Sequence, residues 1–192
     1  MMNIIVFGPP GSGKGTQSVK IAGKYHLAHI STGDIFRSEI RNKTKMGNKV
    51  QSYISKGELV PDELLLDILK NAMEKHSGTR GYVFDGFPRT IHQAVSLDKL
   101  MQEKNQEITL VLALEVSGEE VVKRLLKRAQ LEGRSDDNEE VIRNRLKVYH
   151  EQTEPLLTYY DEQDKLATVP GEGTIEGIFK NLCRAIEGDS AG

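Results

Sequence analysis

One stretch, residues 3–16, constrains this chain more than any other. Residues 3–7 are a short apolar run rich in β-branched side chains, which is typical of a buried strand. A glycine-rich turn follows, with Gly8, Gly13 and Lys14 at the offsets of the motif G-x-x-x-x-G-K. Such a turn directs backbone N–H groups at an anion, the next helix adds its dipole, and the lysine adds a full charge. The stretch therefore predicts a phosphate-binding loop between a strand and a helix.

Composition excludes several classes of protein. The chain has 192 residues, of which 38% are hydrophobic and 28% charged, values typical of one soluble globular domain spanning 1–192. The net charge of -2 predicts neither nucleic acid nor an anionic membrane as a partner. The single cysteine, Cys183, excludes an internal disulfide and favours a reducing compartment. No apolar stretch approaches the length of a membrane span, so we expect a cytoplasmic protein, and no apolar stripe demands a partner chain, so we expect a monomer.

Apolar runs alternate with helical patterns along the whole chain. The expected strands are residues 3–7, 27–30, 82–85, 110–116 and 166–169. Because each is a nearly continuous apolar run, we predict an α/β fold whose five-stranded, mainly parallel sheet carries helices on both faces. Ligands bind beyond the carboxyl ends of such strands. The phosphate loop, residues 31–34 and residues 85–89 should therefore converge.

The helical patterns are broken once by a proline. Residues 139–153 read as one helix, and Pro155 fits poorly with its continuation into residues 156–160. Apolar side chains of the last helix recur on one face from Ile175 to Ile186, and Cys183 is expected in or near the core there.

Asp85 ends a buried strand near the expected phosphates. A carboxylate there is costly unless it is paired or lies near a cation. The sequence favours a magnesium role, acting through bound water because Mg²⁺ keeps much of its hydration shell. A helix N-cap and a simple ion pair with Lys14 remain the alternatives.

Arginines concentrate in one helix–break–helix segment, where their planar forks suit phosphate oxygens. Arg124 and Arg128, four residues apart, share a helix face. Arg134 lies in the break. Arg145 lies beside the apolar stripe of the next helix, while Arg143 points away and is expected in solvent. No nucleophile–base pair or metal cage is evident, which is compatible with phosphoryl transfer, where positioning and charge neutralisation dominate.

Two motifs carry a resemblance that covers essentially the whole chain. Residues 8–16, including Gly15 where Ser or Thr usually follows the lysine, and residues 84–89, Phe-Asp-Gly-Phe-Pro-Arg, resemble the nucleoside monophosphate kinases, the adenylate kinases most closely. The resemblance implies a P-loop NTPase fold and the reaction ATP + AMP ⇌ 2 ADP with Mg²⁺.

The resemblance also implies the site residues. ATP would contact Gly11, Ser12, Gly13, Lys14, Gly15, Thr16, Arg124, Arg128 and, through backbone at the adenine, Gly173. AMP would contact Thr32, Arg37, Glu58, Leu59, Val60, Gly86, Phe87, Pro88, Arg89, Gln93, Arg134 and Arg145. The transfer itself would depend on Lys14, Arg89, Arg124, Arg128, Arg134 and Arg145, with Asp85 on the magnesium side.

Residues of about 31–60 would form the acceptor-binding excursion, and about 129–137 a short lid. The lid has no cysteine, so no zinc is expected. Thr32 and Gln93 favour AMP, since the similar UMP/CMP kinases tend to carry Ala and Asn there. A UMP/CMP kinase stays the near alternative, and a non-catalytic nucleotide-binding module the distant one. A shikimate-type metabolite kinase would leave residues 85–89 unexplained.

Overall fold

The computed structural model describes residues 1–76, 78–132 and 138–188. Its centre is a sheet of five parallel strands in the order β2-β3-β1-β4-β5. The strands are β1 (Met2–Phe7), β2 (Ala28–Ser31), β3 (Gly81–Asp85), β4 (Leu110–Glu115) and β5 (Leu166–Pro170). The predicted strands are all present, with ends displaced by at most one residue.

Helices occupy most of the connections between strands. They are α1 (Lys14–Tyr25), α2 (Thr32–Arg41), α3 (Lys45–Ile54), α4 (Asp62–Lys75), α5 (Ile91–Glu103), α6 (Gly118–Glu132), α7 (Glu139–Val148), α8 (Pro155–Asp161) and α9 (Ile175–Glu187). A π-helical turn, Tyr149–Thr153, joins α7 to α8. Pro155 stands at the start of α8, where its missing N–H costs no helical hydrogen bond.

The sheet is covered on both faces, which explains why its strands are continuous apolar runs. Along β1, Ile5 and Phe7 join the core formed with α2 to α5 and α8. Ile4 and Val6 point the other way, into the core formed with α1 and α9. Each such fully buried side chain stabilises the fold by about 1.5–3 kcal/mol. The predicted fold class is confirmed, and Cys183 is buried on α9 as expected.

The register of three neighbouring strands positions the site. Asp85 at the end of β3 pairs with Ser31 at the end of β2 and with Val6 near the end of β1. The segments that follow these strands therefore leave the sheet side by side, as the parallel arrangement predicts. In the part of the chain that the structure describes, no helix is both long and apolar enough to span a membrane.

Candidate active site

The loop between β1 and α1 is shaped for an anion. Gly13 caps α1 with φ of 89°, in the left-handed region that glycine favours, and no side chain caps the helix there. The first backbone N–H groups of α1 are therefore available to a ligand. Gly11, with φ of 83°, lies against α6: a Cβ there would lie 2.8 Å from Leu125 Cγ. Close packing on α6 thus determines where the loop lies.

Lys14 lies among positive charges. Its Nζ donates a hydrogen bond to the Pro9 carbonyl at 3.3 Å. The pKa of Lys14 is lowered to about 7, mainly by burial. Asp85 acts against this shift, and the charges of Arg89, Arg145 and Arg128 contribute to it. A bound polyphosphate would reverse this balance, because it would place negative charge beside the ammonium.

Asp85 is 8% exposed. Its neighbours can be compared with the three roles considered for it, which are a magnesium partner, a helix N-cap and an ion pair with Lys14. Its Oδ2 lies 3.3 Å from Ser31 Oγ and 3.9 Å from His29 Nε2. It caps neither of the two helices that begin nearby, because Ser31 caps α2 and Thr90 caps α5. The Lys14 ammonium bonds to Pro9 rather than to this carboxylate.

Arg124 connects two loops. Its Nη1 donates to the carbonyl oxygens of Ser12 (3.2 Å) and Gly171 (3.0 Å), and its Nε donates to Glu120 Oε1 (2.8 Å). The phosphate loop and the segment after β5 are held together by one guanidinium group. Gly173 lies exposed in that segment, two residues beyond Gly171.

A cavity of about 440 Å³, which we name the phosphate cavity, opens over the phosphate loop. Its lining includes Gly11, Gly13, Lys14, Gly15, Thr16, Asp85 and the arginines Arg37, Arg89, Arg124, Arg128 and Arg145. Ser12 is buried and is not part of this lining. Arg134 lies outside the described residues. Arg143 points away, 76% exposed and paired with Glu139 at 2.6 Å, as the helical spacing predicts.

A smaller cavity of about 70 Å³ lies beside the first, and we name it the acceptor cavity after the predicted acceptor residues that line it. Of the predicted acceptor residues, it is lined by Thr32, Arg37, Glu58, Leu59, Val60, Gly86, Arg89, Gln93 and Arg145. Phe87 is instead buried in the core. Pro88 lines a third space of about 40 Å³, together with Lys14 and Arg145.

Comparisons with known proteins identify the family of this chain. The sequence model of the family described as adenylate kinase matches residues 6–165. The chain belongs to the adenylate kinase family. An adenylate kinase from Bacteroides thetaiotaomicron is 49% identical over 187 residues, covering 97% of this chain and 99% of that protein. Those from Phocaeicola vulgatus (48% over 187 residues) and Flavobacterium johnsoniae (45% over 188) also cover 97% of this chain and 99% of their own lengths.

The comparisons confirm the predicted adenylate kinase function and its enzyme class, a nucleoside monophosphate kinase. Membership of this family implies ATP-dependent phosphoryl transfer. The roles of individual residues are not tested by it and stay predictions.

Magnesium, which this family typically uses with ATP, fits the residues that are present. Among the described residues, no three His, Cys, Asp or Glu side chains cluster as a metal cage. Mg²⁺ does not need one, because it binds through one or two carboxylates, waters and substrate phosphates. Asp85 supplies a carboxylate in the phosphate cavity, and Thr16 and Ser31 supply hydroxyl oxygens there.

The acceptor cavity also has apolar walls. They are formed by residues that were not predicted from the sequence. Phe36, Ile54 and Leu65 line it. Phe36 stands four residues after Thr32 and therefore on the same face of α2, a spacing that could have identified it. Ile54 and Leu65 come from α3 and α4, and only the packing of these helices brings them together.

Proposed function

We propose that the chain catalyses reversible, Mg²⁺-dependent transfer of the terminal phosphoryl group of ATP to AMP, giving two ADP. Residues 31–60 act as the acceptor-binding excursion of a single domain. Residues 129–137 act as a short lid, of which residues 133–137 lie outside the described part of the chain. A cytoplasmic location and a monomeric state stay predictions.

The observation that carries this proposal is the position of three arginines. Arg37, Arg89 and Arg145 line both the phosphate cavity and the acceptor cavity, and Lys14 lines the phosphate cavity and the third space of about 40 Å³. Phosphates from two nucleotides would therefore meet beside the same cationic groups. This supports direct transfer between bound substrates, because it holds both reacting groups in one geometry.

On the donor side, backbone N–H groups of the loop and Lys14 bind the ATP phosphates, and Arg124 and Arg128 cover them. On the acceptor side, Arg37, Arg89 and Arg145 bind the AMP phosphate. Arg37 is paired with Asp34 at 2.5 Å, so AMP binding includes an exchange of this partner. Arg134 belongs to the same proposed set, outside the described residues.

Transfer needs no general base. The AMP phosphate, with a second pKa of about 6, presents an anionic oxygen at neutral pH. That oxygen attacks the terminal phosphorus of ATP, the bond from phosphorus to the bridging oxygen breaks, and the electron pair leaves with ADP. The cationic side chains stabilise the charge spread over the transferring group. Mg²⁺ bound with the ATP phosphates, near Asp85, would supply further charge neutralisation.

The test measures ADP formation from Mg-ATP with AMP, UMP and CMP as separate acceptors. We expect a strong preference for AMP, and a loss of about 10²-fold or more in kcat for Arg89→Ala, since it removes charge stabilisation of the transition state. Arg143→Ala is the matched control because that arginine is exposed. Preference for UMP or CMP would overturn the acceptor assignment. ATP binding without turnover would favour a non-catalytic module.

A further inference from the structure

Two hydrogen bonds hold the side-chain amide of Gln93. Gln93 is 1% exposed and lines the acceptor cavity. Its Oε1 accepts a hydrogen bond from the backbone N–H of Arg89 at 2.8 Å. Its Nε2 donates to Asp62 Oδ1 at 2.7 Å. The partners determine which end of the amide is which, because a backbone N–H can only donate and an ionised carboxylate can only accept.

Asp62 is itself held in place. It is the first residue of α4, where a carboxylate is stabilised by the helix dipole. Its second oxygen, Oδ2, lies 2.6 Å from His92 Nδ1. Both carboxylate oxygens therefore have partners, and the carboxylate bridges α4 to the start of α5.

The fixed amide has one N–H and one carbonyl lone pair left for a ligand, and the positions of this donor and this acceptor cannot be exchanged. Adenine presents its 6-amino donor next to its N1 acceptor, which suits a carbonyl and an N–H in that order. A 6-oxo purine such as hypoxanthine presents an acceptor next to an N–H donor. It would require the amide to be reversed, with its carbonyl facing Asp62 and its NH₂ facing the Arg89 N–H, and water is largely excluded from relieving that mismatch.

We propose that Asp62 is a positioning residue that fixes the orientation of the Gln93 amide, and thereby makes the acceptor site select 6-amino over 6-oxo purine monophosphates. The inference rests on the proposed function, in which Gln93 contacts the acceptor base. It adds a residue that touches no substrate and acts only through Gln93.

The experiment compares kcat/KM for AMP and for IMP, with Mg-ATP as donor. For Asp62→Ala we expect the AMP:IMP ratio to fall by about tenfold or more, since one of the two bonds that orient a buried amide is lost. The KM for AMP rises, while kcat and the KM for ATP stay close to wild type. Asp62→Asn restores the ratio to within about threefold of wild type, because its amide oxygen can accept the same bond.

Glu63→Ala is the matched control. Glu63 is the other acidic residue in the first turn of α4 and is exposed, so its removal costs the same helix-dipole interaction without touching Gln93. Thermal unfolding of all variants separates loss of fold from loss of selectivity. An AMP:IMP ratio in Asp62→Ala equal to that of Glu63→Ala overturns the proposal, as does a failure of Asp62→Asn to restore it.

Gln93→Leu separates this inference from the proposed function. If Gln93→Leu lowers the AMP:IMP ratio and Asp62→Ala does not, Gln93 recognises the base and only the role of Asp62 is wrong. If Gln93→Leu leaves the ratio unchanged, the acceptor base does not lie against Gln93, and both the assigned site and the inference fail.

Discussion

The hydroxyl group of Thr153 donates a hydrogen bond to the backbone carbonyl of Arg89 at 2.9 Å. Thr153 is the last residue of the π-helical turn and is buried. Arg89 follows β3 and also bonds through its backbone N–H to Gln93. The main chain of Arg89 is therefore held from two directions, by α5 on one side and by the segment that continues α7 on the other.

Replacing Thr153 by Val should loosen this arrangement while preserving shape. We expect the free energy of unfolding to fall by about 1–2 kcal/mol, because a buried carbonyl loses a donor. For a chain of this size that lowers Tm by about 2–8 °C. The KM for AMP should rise with it. Thr153→Ser should restore both. Thr158→Val, at an exposed threonine of α8, is the control, and an equal effect there would contradict the role of this bond.

The lowered pKa of Lys14 predicts a pH-dependent stability. In the unfolded chain lysine titrates near its usual pKa of about 10.4, whereas burial lowers the pKa to about 7 in the fold. Between these values the unfolded state binds more protons, so this group makes the folded state more stable as pH rises. Below pH 7 both states are protonated, and the buried charge opposes folding.

Lys14→Met should therefore unfold at higher urea concentration than wild type at pH 6.5, while losing activity. The advantage of the variant should shrink by about 1 kcal/mol or more by pH 9, and not by the full value for a buried charge, because solvent partly screens the charge of this half-buried side chain. Urea midpoints at the two pH values measure this. Lys20→Met, on the same helix, is the control. A difference between Lys14→Met and wild type that is constant with pH would refute the prediction.

Arg124→Lys should weaken ATP binding selectively. The guanidinium group of Arg124 bonds to the carbonyl oxygens of Ser12 and Gly171 at the same time. A lysine has the same charge but lacks the planar guanidinium group that makes these two bonds. We expect the KM for ATP to rise by about tenfold or more, corresponding to one charge-assisted hydrogen bond, with the KM for AMP nearly unchanged. Lys123→Ala, at the exposed neighbour, is the control. Equal increases in both KM values would count against a donor-side role.

Asp85→Asn tests the metal assignment. Removing the carboxylate charge should lower kcat by at least about tenfold and raise the Mg²⁺ concentration needed for half-maximal activity at fixed ATP, because Mg²⁺ prefers charged oxygen ligands. Binding of ATP without Mg²⁺ should persist. Asp67→Asn, at an exposed carboxylate of α4, is the control. A magnesium titration that superimposes on wild type would exclude the role of Asp85.

Much of the fold follows from local patterns in the sequence. Strand and helix runs, the phosphate loop and its neighbours at the strand ends were predictable, because parallel strands carry all of their carboxyl ends to one edge. The π-helical turn was not, since Pro155 indicates where a helix is interrupted but not how the preceding backbone adjusts. Asp62 gave no signal as a site residue, because its contact with Gln93 joins residues 31 positions apart through the packing of α4 on α5.

The register that pairs Asp85 with both Val6 and Ser31 has a consequence for how such an enzyme can change over time. In the proposed arrangement, the donor loop and the acceptor segment leave strands that flank β3, each about 4.8 Å from it, and that spacing is set by main-chain hydrogen bonds. Substitutions after β2 can thus alter which nucleobase is accepted without moving the phosphate loop. The preference for one acceptor base can therefore change during evolution, while the distance between the donor and acceptor phosphates stays constant because the sheet sets it.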